Sequence, residues 1–449
     1  MPSRPTRILV PAGALGLGWD EAALEAGLAR APDLIAIDGG STDSGPAYLG
    51  RGVSKYSRAQ TKAEWAALID AGARAGCPLV VGTAGTCGAG TAVDWLLEIT
   101  REVLAETGRH AKIAVLYCDR NPAALAAAWD RVAPLPGAPE VTVEDVATCT
   151  NIVALAGVEQ VQAALASGAD IVICGRTTDT AILAALPIER GCHPGAAWHG
   201  AKVGECGALC CKHPNTGVIE IMVDETGFTV TPMAEVSRAT PQTVAAHLLY
   251  ENSDPIILYE PGGFLDVTRS TYRAESDRAV RVEGSEWVPG PYTVKLEGAR
   301  VAGHGIMSLV LVRDPRYVGA IDEWCASLEA RARRRIAQRM GDVAYDLELR
   351  RIGLDATLGA REPDRAVPNE VGVMAQVVAP QAEVAREVAK VVNPLLLHHP
   401  LTEEEPMPTF AFPFSPPEVD LGPQYEFVFH HVLSLDDPMD GFRIEVIDV

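Results

Sequence analysis

Positive charge is what this sequence has least of: 38 Lys and Arg stand against 59 Asp and Glu, a formal net charge of −21. A nucleic-acid partner is not expected, because binding a phosphate backbone rests on clustered Lys and Arg that release counterions. The one basic run, residues 331–335 in LEARARRRIAQRM, has helical spacing and reads as a solvated helix face. Long apolar runs are missing as well. No stretch reaches the roughly 18 residues that suggest a membrane span, and MPSRPTR leads at once into a short strand instead of a signal-peptide core. The cytoplasm is the expected compartment. Ten Cys in 449 residues are too sparse for a disulfide framework. Cys118 and Cys174 fall in apolar runs, where a thiol packs as a small hydrophobe, and the cysteines read as reduced.

What remains is the composition of a soluble globular protein, 48% hydrophobic and 22% charged, in a chain too long for one core. Five short apolar runs mark the first 180 residues: RILVPAG, DLIAIDGGSTDSG, PLVVGTAGTCGAG, KIAVLYCD and DIVICGRTTDT. Each empties into a loop of Gly, Asp, Thr and Ser. Between them, residues 19–30, 61–75, 91–106 and 158–168 repeat apolar positions at spacings of three and four, as helices do. The alternation predicts an α/β fold whose N-terminal parallel sheet is flanked by helices and buried on both faces. After about residue 190 the pattern changes. Residues 218–233 read as a hairpin around Glu225, Thr226 and Gly227, and 278–314 as three further antiparallel strand segments. The expected division is an α/β domain over 1–240, an α+β domain over 241–390, and a Pro-rich segment with C-terminal strands over 391–449.

In an open α/β sheet, ligands bind at the carboxyl ends of the strands, so the candidate chemistry is sought in the loops there. The first loop, GALGLGW, holds Gly13, Gly16 and Gly18 in GxxGxG spacing, not the GxGxxG of a dinucleotide site, and could present helix N-terminal amides to a carboxylate or phosphate. It could equally be a structural turn. DGGSTDSG offers Asp38 and Asp43 with Ser41 and Thr42. Two carboxylates facing a crevice can act as acid and base, or hold a hard cation such as magnesium or manganese. No cofactor follows with certainty. GTAGTCGAG offers the amides of Gly85, Thr86 and Gly88 as an anion cradle, with Cys87 as a candidate nucleophile at a helix N-terminus.

CGRTTDTA carries Arg176, Thr177 and Asp179. Arg176 suits bidentate recognition of a carboxylate, or else an internal ion pair with Asp179 or Asp38. The Cys/His stretch from Cys192 to His213 lacks paired CxxC spacing, so no metal ligand set is assigned there. Glu260 in YEPGG and Lys295 with Glu297 in YTVKLEGA stand in segments otherwise built for burial. Lys295 and Glu297 share one strand face, either as a structural pair or, if that face meets the crevice, with Lys295 as base or oxyanion stabiliser and Glu260 as acid.

These pieces in this order, from IAIDGGSTDSGPAYLG through GTAGTCGAG, CGRTTDTAILAALPIERG, ECGALC, SDPIILYEPGG and PYTVKLEGA to LLLHHPL and FAFPFSPPE, resemble the AtuA-type family, named for acyclic terpene utilisation. The resemblance implies catabolism of branched, terpene-derived acids as acyl-CoA esters. By position it selects Asp38, Asp43, Arg176, Asp179, Glu205, Glu260, Lys295 and Glu297. The expected function is proton transfer next to a carbonyl of a small organic acid or its acyl-CoA ester, by a hydro-lyase or isomerase acting as a homo-oligomer. Two alternatives stand beside it: hydrolysis of an ester, lactone or thioester by Cys87 or Ser41, and an acyl-ligand-binding subunit active only with a partner chain.

Overall fold

The computed structural model describes residues 4–449. All five apolar runs form strands: Thr6–Val10, Leu34–Asp38, Leu79–Gly82, Lys112–Tyr117 and Ile171–Cys174. They pair in parallel, with Ile171–Cys174 inserted between Leu79–Gly82 and Lys112–Tyr117. Residues of alternate parity separate into two cores, as the two-residue period of a strand demands. Leu9, Ile35, Ile37, Val81 and Ile173 face the helices Glu21–Leu28, Arg58–Ala75 and Gly90–Thr107. Ile8, Leu34, Ala36, Val80 and Val172 face Val158–Leu165, Ala181–Glu189 and Pro194–Gly204. Burial on both sides is why the runs are continuously apolar.

The strand order also places the crevice. The first three connections advance along the sheet, and right-handed crossovers put their helices on one face. From Lys112–Tyr117 the chain steps back to Ile171–Cys174, so its next helices lie on the other face. The neighbouring strands Leu79–Gly82 and Ile171–Cys174 therefore send their following helices to opposite faces. That reversal opens a crevice at their carboxyl ends.

The sheet is ten-stranded, and both its edges are antiparallel. Ile219–Val223, Gly227–Pro232, Val280–Glu283 and Thr271–Ala274 extend one side, and Arg443–Asp448 pairs with Lys112–Tyr117 on the other. The expected hairpin at 218–233 is present, its turn held by Asp224 Oδ1, which accepts from the amides of Thr226 and Gly227. One expectation is corrected. The segments YTVKLEGARVAG and IMSLVLVRD are a single strand, Thr293–Val312, because His304 and Gly305 between them pair with Ala379 and Val378.

The chain divides into two compact units, Met1–Arg300 with Phe427–Val449, and Val301–Glu426. The sequence reading set boundaries near 240 and 390 instead. The antiparallel strands that follow residue 218 join the same sheet as the parallel ones, and a change of strand direction within one sheet resembles a domain boundary in a sequence pattern. In the second unit, His304–Val312 pairs with Val371–Ala379, which pairs in turn with Asp346–Ile352. The helices Ile321–Met340 and Ala382–His398 supply that unit's core through Trp324, Leu328, Val388 and Val392. The basic run lies on the first of these helices, with Ala332 and Ile336 buried between outward arginines. The cysteines are free. Among the described residues no helix is long and apolar enough to cross a membrane.

Ile35 is wholly buried in the centre of the sheet. Ile35→Ala is expected to cost about 2–5 kcal/mol, read as a lowered midpoint in thermal unfolding.

Candidate active site

Arg176 follows the strand Ile171–Cys174 directly and is buried at the crevice. Its fork is closed by Glu297 of the strand Thr293–Val312: Nε donates to Oε2 at 3.0 Å and NH2 to Oε1 at 3.2 Å. NH1 donates to Thr83 Oγ1 and the Thr177 carbonyl, both at 3.2 Å, and NH2 to Thr42 Oγ1 at 3.3 Å. Asp179 Oδ1 lies 3.5 Å from NH1. Burial alone would raise the Glu297 carboxyl, but Arg176 outweighs it and holds the group below its ordinary value. The pair is thus ionised inside the protein. The guanidinium has no N–H left for a substrate, which settles the alternatives left open by the sequence: Arg176 forms an internal ion pair, chiefly with Glu297. Gly88 makes this possible, since a Cβ there would lie 2.2 Å from the Arg176 amide nitrogen, and its φ of +62° favours glycine.

Around the pair stand carboxyl groups that one arginine cannot neutralise. Burial, then the charge of Asp179, pushes Asp38 well above the usual carboxylate range. Its Oδ2 accepts from the Gly40 amide at 3.1 Å, while Oδ1 is buried with no hydrogen-bond partner among the described residues. Asp179 is itself raised by burial, against the pull of Arg176 and Lys202, although its side chain keeps 24% of its exposure and gives the cluster an opening. Glu260 ends the strand Ile257–Glu260. It accepts a hydrogen bond from Thr180 Oγ1 at 2.5 Å, its Oε2 is buried without a partner, and burial pushes it up to about 7. Lys202 and Glu205, one helical turn apart, form a second buried pair at 2.5 Å. Burial nevertheless pushes Glu205 up to about 8.

Several expected residues have local duties instead. The amides of Thr86 and Gly88 donate to the carbonyls of Gly39 and Ala84, and the Gly90 amide at the following helix start donates to Asp119 Oδ1 at 2.8 Å. The expected anion cradle is therefore folded inward, and a carboxylate of the chain already occupies the helix end. Cys87 is wholly buried and its thiol is pushed by burial up to about 11, which corrects its assignment as a nucleophile. Gly16 donates to Glu64 Oε2 at 2.6 Å and packs on Tyr56, and Gly13 lets the first loop lie against the Cys206 backbone. Ser41 Oγ accepts from the Asp43 amide at 3.1 Å as a local cap. Asp43 is exposed and hydrogen-bonded to Glu251, which with Ser41 lowers it against the effect of burial.

Thr42, Arg176, Asp179 and Glu297 are gathered at the crevice as the sequence suggested, with Asp38 and Lys295 beside them. Thr177 is buried there with its Oγ1 unpartnered. Thr83, Thr180, Lys202 and Glu251 were missed. Lys202 sits among small residues that resemble plain helix packing, and Glu251 follows a helix that is distant in sequence. The cavity of about 820 Å³ lined by Cys77, Leu79, Arg109 and Asp170 lies at the opposite ends of the parallel strands. We place the chemistry at the carboxyl ends, where the shifted groups are.

Two outcomes are expected. Arg176→Met leaves Glu297 buried without its partner and should cost about 3–5 kcal/mol, with much of the loss recovered in Arg176→Met/Glu297→Leu, both read by thermal unfolding. Second, Glu260 stays protonated in the folded chain from about 4.5 to about 7, where the unfolded chain has already ionised. Its contribution to stability is full below that window and falls as pH rises through it. Across the same window the melting temperature of Glu260→Gln should fall less steeply than that of the parent.

A comparison with curated proteins and one with solved structures each return no match. A family model does match: acyclic terpene utilisation family protein AtuA, over residues 66–410. The stretch contains Arg176, Asp179, Glu205, Glu260 and Glu297 and stops short of Asp38. With well over half its length matched, the chain belongs to the AtuA family.

Proposed function

We propose that the protein is an enzyme that moves a proton next to a carbonyl in a small organic acid or its acyl-CoA ester, as a hydro-lyase or isomerase. The observation that carries this reading is the separation of titration behaviour within one crevice. Arg176 and Lys295 hold Glu297 below its ordinary value, whereas burial raises Asp38 and Glu260, Glu260 to about 7. Carboxyl groups pushed apart in this way are the usual means by which a site keeps an acid and a base ready at neutral pH. The family's description, acyclic terpene utilisation, suits branched acids as substrates.

In this reading Glu260 is the base. Its acidity near neutrality matches proton abstraction beside a thioester or carboxylate, and Thr178 and Thr180 orient it. Asp38, raised by burial and by the charge of Asp179, is the acid. Lys295 keeps 39% of its side-chain exposure beside Glu297 and is the cation free to meet a substrate carboxylate or carbonyl oxygen, the role that Arg176 cannot take. Hydrolysis gains no support, because Cys87 is buried and Ser41 Oγ is engaged in its own turn.

The test is a panel of short-chain hydroxy and unsaturated acids and their CoA esters, scored by solvent-deuterium incorporation at the carbon next to the carbonyl. With a substrate found, kcat should rise with pH through about 7, as Glu260 ionises. Glu260→Gln and Asp38→Asn should each lower kcat by about 10²–10⁴ while the substrate still raises the melting temperature. Unchanged turnover in both variants would sink the assignment. Exchange that appears only when a second protein co-purifies would move it to a partner-dependent subunit.

A further inference from the structure

Beside the carboxyl cluster lies a set of donors that the proposed reaction does not use. Glu205 caps the carboxyl end of the eleven-residue helix Pro194–Gly204, Cys206 follows it, and His247 ends the helix Pro241–His247. One ligand atom from each lies within 4.8 Å of the other two. Among the described residues this is the one group of three His, Cys, Asp or Glu side chains so disposed. We propose that Glu205, Cys206 and His247 form a binding site for a divalent transition metal, with zinc the best-suited ion.

An independent observation points the same way. His247 is 6% exposed, and its Nε2 is buried with no hydrogen-bond partner among the described residues. A buried imidazole nitrogen without a partner is costly unless something binds the ring. Burial, with Lys202 nearby, lowers its basicity to about 4, so the ring is neutral at ordinary pH and can donate a lone pair. The ring stacks on Tyr250, with centroids 5.4 Å apart and planes at 10°, which fixes its orientation.

The donor set selects the ion. One nitrogen, one sulfur and one oxygen suit zinc or its neighbours, whereas magnesium and calcium call for oxygen alone. A tetrahedral zinc site spaces its donors about 3.3–3.8 Å apart, so shifts of about an ångström close the set. Three protein ligands leave a fourth position for water or a substrate oxygen.

Electrostatics are compatible with the site. Lys202 opposes a cation there, as it holds one Glu205 oxygen, but Asp179 and Glu260 act on Glu205, and Asp179 and Glu251 act on Cys206. The carboxyl end of the helix before Glu205 also carries negative partial charge. On binding, the Cys206 thiol and the Glu205 carboxyl give their protons to solvent and coordinate as thiolate and carboxylate.

The site stands apart from the proposed reaction, so its test reads metal and not turnover. Chelator-treated full-length protein is titrated with cobalt(II). The expected result is one ion per chain, with a thiolate-to-cobalt charge-transfer band that added zinc abolishes. Cys206→Ser should lose that band, and His247→Gln should weaken cobalt binding at least about 100-fold, beyond the loss typical of an outer-shell change. Cys210→Ser, which alters a thiol outside the set, should bind as the parent does. Far-ultraviolet circular dichroism confirms folding of each variant. Absence of stoichiometric binding to the parent, or parent-like binding by both folded ligand variants, would overturn the proposal. Should either ligand variant fail to fold, the cobalt spectrum of the parent decides: stoichiometric cobalt with a thiolate-to-cobalt charge-transfer band supports the site, and stoichiometric cobalt without that band refutes it.

Discussion

The buried pair of Arg176 and Glu297 is the interaction on which the rest of the site depends. It joins groups far apart in sequence, since the guanidinium also holds Thr42 after the second parallel strand and Thr83 after the third. Such a pair has little net worth against well-packed hydrophobic groups, but it is expensive to break, because the surviving charge stays buried. What it contributes here is order. Three loops and a strand are fixed by one planar group whose donors are all used. The same pair sets one end of the acidity scale, because Arg176, with Lys295, holds Glu297 below its ordinary value, while burial raises Asp38 and Glu260 above theirs.

Much of the fold could be read from the sequence, and the reason is local. Runs such as LIAID and IVIC are buried on both sides, and the helices between them present one apolar face, so each element advertises itself within ten residues. The carboxyl-end loops followed from the same alternation, which is why Arg176, Asp179 and Asp38 were found. What escaped is what depends on distant chain. Nothing around Arg176 announces that its partner is 121 residues away, and nothing in GTAGTCGAG shows that its amides point inward, since both features follow from tertiary packing. The single strand Thr293–Val312 was divided for a related reason: glycines read as breakers unless their ladder partners are known.

Sequence spacing does not reach across the fold to the three groups of the proposed site. Metal sites are recognised by short repeats of ligands, whereas Glu205 and Cys206 meet a histidine from a separate helix. The adjacent Cys210 and Cys211, which draw the eye in the sequence, lie with their sulfurs 3.8 Å apart and outside that set. Proximity along the chain and proximity in space select different residues.

The edge strand Arg443–Asp448 bears on the order in which the molecule can be assembled. It covers Lys112–Tyr117, more than three hundred residues upstream, and the whole of the second unit is encoded between the two halves of the first. As the chain emerges from the ribosome, Lys112–Tyr117 therefore has an open flank until translation has passed residue 443. The flank is flat, apolar and ready to pair with any passing strand. For this architecture, the interval between making the sheet and sealing it is the period of greatest exposure to aggregation, and its length is set by the insertion.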